Sequence, residues 1–318
     1  MKRFAACIFL LVSPLVLAAE PRTVAGAGGL PLQVIEAGLR GAPGVLFIHG
    51  STLSSSSWKQ QFDSSLAEDF HLVALDLRGH GNSGKPWHAE DYRDSKLWAD
   101  DIAAVIEATG LERPVVVAWS YGGHVTMDFL RHYPAETLGG VVFVGSSGGM
   151  LPWPELDAAT AAEFARLGRL ATSPDAGDRL EAARAFVSAM ARAPVDPELL
   201  EREVAAVLAV PPYARAAMAG RDLDNSALVD RLTLPVLFLL GDRERTVTPE
   251  GVAALAARLP DARVLQYEGT GHMPFLEQSA RFNEDLRQFL QSGASTGSGP
   301  RAALPEERVA PAAAPGKL

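Results

Sequence analysis

Cysteine is almost missing from this chain: Cys7 is the one example in 318 residues. It lies in an N-terminal apolar stretch that is expected to be removed, so no disulfide can form and a disulfide-stapled scaffold is excluded. Basic residues are also in deficit, 29 Lys and Arg against 38 Asp and Glu, for a formal net charge of −9. A nucleic-acid partner is therefore not expected, because a phosphate-binding surface needs a basic excess. There is no His-Glu-x-x-His pattern and no cysteine cluster, so neither a metal nor another cofactor is expected. Long apolar runs are limited to residues 4–17, a stretch interrupted by Pro14 and too short for a comfortable bilayer span. With Lys2 and Arg3 before it and Ala18 and Ala19 after it, residues 1–19 read as a signal peptide, not a stable membrane anchor. The mature chain is then expected to start at Glu20 and to be periplasmic or secreted by a bacterium.

What is present is an ordinary globular balance, 47% hydrophobic and 21% charged. Short β-branched runs predict strands at residues 30–37, 44–48, 71–77, 115–119, 141–144, 236–240 and 263–267. The first of these is expected near a sheet edge, where Pro31 is tolerated. Helical spacing of apolar residues follows most of them, at 97–109, 124–132, 252–259 and 275–290. This alternation predicts an α/β fold with a mostly parallel, doubly wound sheet. Residues 149–231 break the pattern: alanine, acids and arginine dominate, apolar residues fall at helical spacing, and no strand is evident. Three or four helices inserted as a lid are expected there, over a core built from 20–148 and 232–290. Residues 291–318 are rich in Ser, Gly, Ala and Pro and are expected to be disordered.

Ligand sites in such sheets lie at the carboxyl ends of the strands. There, Val115-Val-Val-Ala-Trp-Ser120-Tyr-Gly-Gly123 runs from a strand into a helix with a serine at the junction. A tight strand-to-helix turn lifts a serine Oγ above the sheet, and Gly122 and Gly123 leave room around it. Tyr121 N–H, at the start of the helix, would face a developing oxyanion. A serine hydroxyl needs a base within hydrogen-bond reach, and that base needs an orienting carboxylate. His272, in Gly269-Thr-Gly-His-Met-Pro274, follows the last strand and is the candidate base. Asp242 and Glu244, in the loop after 236–240, compete as the acid. Trp119 and His124 flank the nucleophile and are candidate substrate contacts. His80, between two glycines, is expected to bond backbone and hold its loop in shape.

With His49-Gly50, Asp76-Leu-Arg-Gly-His-Gly-Asn-Ser83, the Ser120 turn and Gly271-His272 in this order, the chain resembles the α/β-hydrolase superfamily from about residue 30 to 290. Ala118 stands where the usual Gly-x-Ser-x-Gly turn has its first glycine. The resemblance favours Glu244 over Asp242 as the acid and assigns the second oxyanion donor to Ser51 N–H. Relatives that open epoxides or remove halide use aspartate at the nucleophile position, which Ser120 is not. The resemblance thus implies a serine hydrolase cleaving carboxylic esters of small or medium-sized molecules, and residues 1–19 add the expectation of export. A lactonase, a carbon–carbon bond hydrolase and a cofactor-free perhydrolase share the same residues, and a ligand-binding protein without turnover is the alternative of another class.

Overall fold

A computed structural model describes residues 17–294. The expected signal peptide lies outside the described residues except for its last three, and the expected disordered tail lies outside them from residue 295 onward. Residues 290–294 continue the last helix as a short π turn.

Eight strands form one sheet in the order β1-β2-β4-β3-β5-β6-β7-β8. They are β1 (Leu17–Ala25), β2 (Pro31–Gly38), β3 (Gly44–Ile48), β4 (His71–Leu75), β5 (Val115–Trp119), β6 (Gly140–Val144), β7 (Val236–Gly241) and β8 (Ala262–Tyr267). From β4 across to β8 every neighbouring pair is parallel, while β2 is antiparallel to both of its neighbours. The strand expected near an edge is therefore the second in the sheet, and β1 takes the edge. Charged Glu20 and Arg22 and the intervening Pro21 gave this edge strand no apolar signature. Pro31 is accommodated as the first residue of β2, opposite Ala25.

Strands β3 to β7 are buried on both faces, and alternate residues feed two cores. Leu46, Ile48, Val116 and Ala118 pack on one side; Val45, Phe47, Val117 and Trp119 pack on the other. Each fully buried Val or Phe contributes about 1.5–3 kcal/mol, which makes these strands the rigid part of the molecule. Helices α1 (Ser95–Thr109) and α2 (Tyr121–His132) cover the first face. Asp94 caps α1 through Lys96 N–H, and Gly110 ends it with a left-handed φ of 69°.

Between β6 and β7 lie α3 (Ala158–Ala171), α4 (Ala176–Met190), α5 (Pro197–Ala209) and α6 (Pro212–Ala219). Asp157, Asp175 and Asp196 cap the first three. Helix α5 is fastened to the turn before residue 59 by Ser57 Oγ, which donates to the buried Glu203 carboxylate at 2.6 Å. Helix α3 has no buried residue and stands outermost, joined to α4 by the exposed Arg166–Glu181 pair. After β7 come α7 (Pro249–Ala256) and, beyond β8, α8 (Ser279–Phe289). The helix expected over 275–290 is split, a short turn at Pro274–Glu277 preceding α8.

Candidate active site

The junction of β5 and α2 holds Ser120 at φ 53° and ψ −115°, a left-handed backbone that a residue with a Cβ seldom adopts. Its N–H donates to Val144 O at 2.9 Å, and its carbonyl accepts from Gly123 N–H and from Ser146 Oγ. The turn is closed from the other side by β3. A Cβ on Gly122 would stand 2.5 Å from Ile48 O, so only glycine lets the elbow approach that strand. Ala118, one methyl larger than the residue usual in such turns, is absorbed into the first core.

His272 reaches this junction from the loop after β8, and its backbone is tied to the helical segment: His272 N–H donates to Met190 O at 2.6 Å. Behind the ring, Trp119 Nε1–H donates to His272 O at 2.9 Å. This corrects the expected role of Trp119. Strand alternation turns its side chain into the second core against Phe275, where it is fully buried and supports the histidine loop without lining the cavity.

The two candidate acids part company here. Glu244 Oε2 accepts from His272 Nδ1 at 2.7 Å, while its Oε1 accepts from Arg245 N–H, Thr246 N–H and Thr246 Oγ1. Burial opposes ionisation of this carboxyl, but the charge of His272 and the hydrogen bonds from His272 and Thr246 outweigh it and hold its pKa below the ordinary value. Asp242 instead accepts from Thr270 N–H at 3.1 Å and pins the histidine loop from the exposed side. Thr246 and Gly145 were not anticipated from sequence. Gly145, at φ 54°, leaves the space in which Glu244 and His272 meet.

The loop after β3 carries Ser51, whose N–H has no acceptor among the described residues, and Thr52, at φ 61°. Tyr121 N–H occupies the first position of α2, where a helix offers no acceptor of its own. Two buried histidines hold the Ser51 loop. His80 Nε2 accepts from Thr52 N–H at 3.1 Å while its Nδ1–H donates to Arg78 O; His49 Nε2 accepts from Leu77 N–H while its Nδ1–H donates to Gly50 O. Both must be neutral to do so, and burial pushes both pKa values down. Asp76 completes the support by accepting from Ser55 N–H and Asn82 N–H at 2.7 Å each.

Ser51, Ser120, Tyr121 and His124 line one cavity of about 270 Å³, which Met218 and Leu223 close from the helical segment. Trp153 stacks on the His124 ring at 6.4 Å between centroids. Of the other large apolar side chains of the helical segment, Met190 is buried in the second core, Phe186 packs against that core, Tyr213 meets Trp87 in a tilted contact, and Phe164 is exposed. Arg221 is a structural cation: it bonds Tyr121 Oη and Asp128, and its guanidinium lies 4.6 Å from the Trp98 ring centroid.

The profile of the alpha/beta hydrolase family matches residues 45–285. The chain belongs to that family. A pimeloyl-[acyl-carrier protein] methyl ester esterase of Methylococcus capsulatus is 30% identical over 270 residues, covering 81% of this chain and 98% of the relative. A crystal structure from Burkholderia cenocepacia assigned as an aryl esterase superposes with a TM-score of 0.79 at 30% identity, covering 87% of this chain and all 100% of its own. An esterase from Rhodococcus sp. ECU1013 gives a TM-score of 0.74 at 28% identity, covering 86% and 99% of the two chains. These similarities support hydrolase chemistry of the esterase kind at the alpha/beta hydrolase sheet of this protein.

Proposed function

We propose that the protein is an exported serine hydrolase that cleaves carboxylic esters of small or medium-sized molecules through an acyl-enzyme. The observation that carries this reading is the 2.7 Å hydrogen bond from His272 Nδ1 to the buried Glu244 carboxylate, at the edge of the sheet where the strained Ser120 turn lines a cavity. With Nδ1–H directed at Glu244, Nε2 is the nitrogen left to take a proton. Ser120 Oγ attacks the ester carbonyl as His272 Nε2 accepts its proton, and the oxyanion of the tetrahedral intermediate accepts from Tyr121 N–H and Ser51 N–H. His272 then returns the proton to the departing alcohol oxygen. Water, deprotonated by the same nitrogen, releases the acid from Ser120. Each oxyanion donor of this type stabilises the transition state by roughly 3–4 kcal/mol, which gives the His49 and His80 bonds under the Ser51 loop their purpose.

The helical segment 149–231 is the lid in this reading, with Met218 and Leu223 as its contribution to the cavity. His124 contacts the substrate from the other wall. Export rests on the basic, apolar and small-residue succession of residues 1–19, and an N-terminus at Ala19 or Glu20 in periplasmic protein tests it.

Hydrolysis of nitrophenyl esters from acetate to decanoate by the chain starting at Glu20, with Ser120→Ala in parallel, tests the activity. Turnover lost in Ser120→Ala establishes the nucleophile, and the preferred acyl length sizes the cavity. Unchanged turnover in that variant would overturn the assignment.

A further inference from the structure

Among the described residues, Arg215 is the one charged side chain lining the cavity beside Ser120; the remaining wall is apolar, hydroxyl or the neutral His124. It projects from α6, and two of its nitrogens are committed to neutral acceptors: Nε donates to Val210 O at 3.1 Å and Nη2 to Val207 O, carbonyls at the end of α5. Nη1 has no protein partner among the described residues. Capping the last turn of α5 would be the structural use of such a side chain, but it leaves the positive charge without a counter-ion. Among the described residues, the ion pairs of the same helical segment, Arg166 with Glu163 and Glu181, Arg184–Glu201, Arg202–Glu203 and Arg221–Asp128, do not include it.

The charged group that acts on it is a second cation instead. Burial and the guanidinium of Arg179, on α4, both lower the pKa of Arg215, and among the described residues Arg179 itself bonds the carbonyls of Ser173 and Pro174 and no carboxylate. Arg215 and Lys85 both act on His80 as neighbouring cations, Lys85 having part of its charge offset by Asp76. A positive cavity wall in a chain of formal net charge −9 is not a consequence of composition. A half-buried cation lacking a carboxylate is unfavourable unless a bound group supplies the anion, and a guanidinium is suited to a carboxylate because its N–H groups meet the two oxygens in parallel.

We propose that Arg215 selects esters carrying a carboxylate, so that the substrate is a small ester with one anionic end, such as the monoester of a dicarboxylic acid. The proposal rests on the reading of Ser120 as the nucleophile of an esterase. The cavity volume of about 270 Å³ is at the small end for ligand sites and fits a short acid of this kind.

Matched ester pairs test it. On the acyl side, 4-nitrophenyl hydrogen glutarate is compared with 4-nitrophenyl pentanoate; on the alcohol side, 4-acetoxybenzoate with its methyl ester. In one of the two pairs the wild-type kcat/KM is expected to favour the anion by about tenfold or more, and that pair locates the carboxylate. Arg215→Met should bring this ratio close to one and Arg215→Lys should keep part of it. Because the readout is a ratio, a general loss of activity cannot imitate the result. A wild-type ratio at or below one in both pairs, or an unchanged ratio in Arg215→Met, would overturn the proposal while leaving the esterase reading intact. If wild type hydrolyses no ester, the esterase reading fails, and thermal shift with monomethyl against dimethyl glutarate still decides on Arg215. Stabilisation by the monoester alone, lost in Arg215→Met, supports the proposal, and equal shifts overturn it.

Discussion

Gly145 lies against the Glu244 carboxylate so closely that a Cβ on it would stand 2.7 Å from Glu244 Oε2 and 2.7 Å from His272 Nδ1, inside the bond that joins them. The backbone there, at φ 54°, also disfavours any side chain. Gly145→Ala should therefore separate acid from base. We expect kcat/KM on a nitrophenyl ester to fall by at least about tenfold, with a stability loss of about 1–3 kcal/mol by urea unfolding, because strain and displacement act together. Full activity in this variant would show that the histidine does not depend on its bond to Glu244.

Exchanging each candidate acid for its amide separates their roles. Glu244→Gln keeps the shape but gives His272 Nδ1 a partner without charge, and kcat should fall by about 10²–10⁴. Asp242→Asn acts on a solvent-facing bond to Thr270 N–H, and its kcat should stay within about threefold of wild type. The reverse order would move the acid to Asp242.

Ser120 bears an unfavourable backbone that serves the proposed chemistry and nothing in the packing. Ser120→Gly should abolish turnover and at the same time stabilise the fold by about 1 kcal/mol, since glycine accepts φ 53° without strain. Chemical denaturation of both proteins at pH 7 checks it. A less stable glycine variant would contradict the strain.

Acid should destabilise the protein through its buried histidines. Burial, aided by Arg221 and opposed by a hydrogen bond with the Leu223 backbone, pushes His124 down to about 4 from an ordinary 6.5. Between these values the unfolded chain binds the proton and the folded chain does not, so stability present above pH 6.5 is lost as the pH falls toward 4. The full shift corresponds to on the order of 3 kcal/mol. Burial moves His49 and His80 in the same direction. Urea unfolding at pH 7 and pH 4.5 should give a smaller difference for His124→Leu than for wild type, and equal differences would remove His124 from the account.

Strands β3 to β7 were legible because burial on both faces leaves unbroken apolar runs such as Val115-Val-Val and Val236-Leu-Phe-Leu-Leu240. Edge strand β1 was not, because an edge needs no such run and Glu20, Pro21 and Arg22 occupy it. The direction of Trp119 was likewise hidden, although the period of two along β5 already separates it from Ala118.

Sequence by itself determined the alternation of strands and helices, the serine at a strand-to-helix turn, and the placing of Glu244 and His272 in loops after the last two strands. Local chemistry suffices for these, since hydrophobic period and glycine placement act over a few residues. Tertiary structure decided that Glu244, which the resemblance only favoured over Asp242, meets His272, that Gly145 keeps the space between them, and that Arg215 turns its charge toward the cavity. Each depends on a distance between segments far apart in sequence, which no local pattern encodes. The 2.7 Å contact of residues 244 and 272 exists because β7 and β8 are neighbours in register and deliver both loops to the same edge of the sheet.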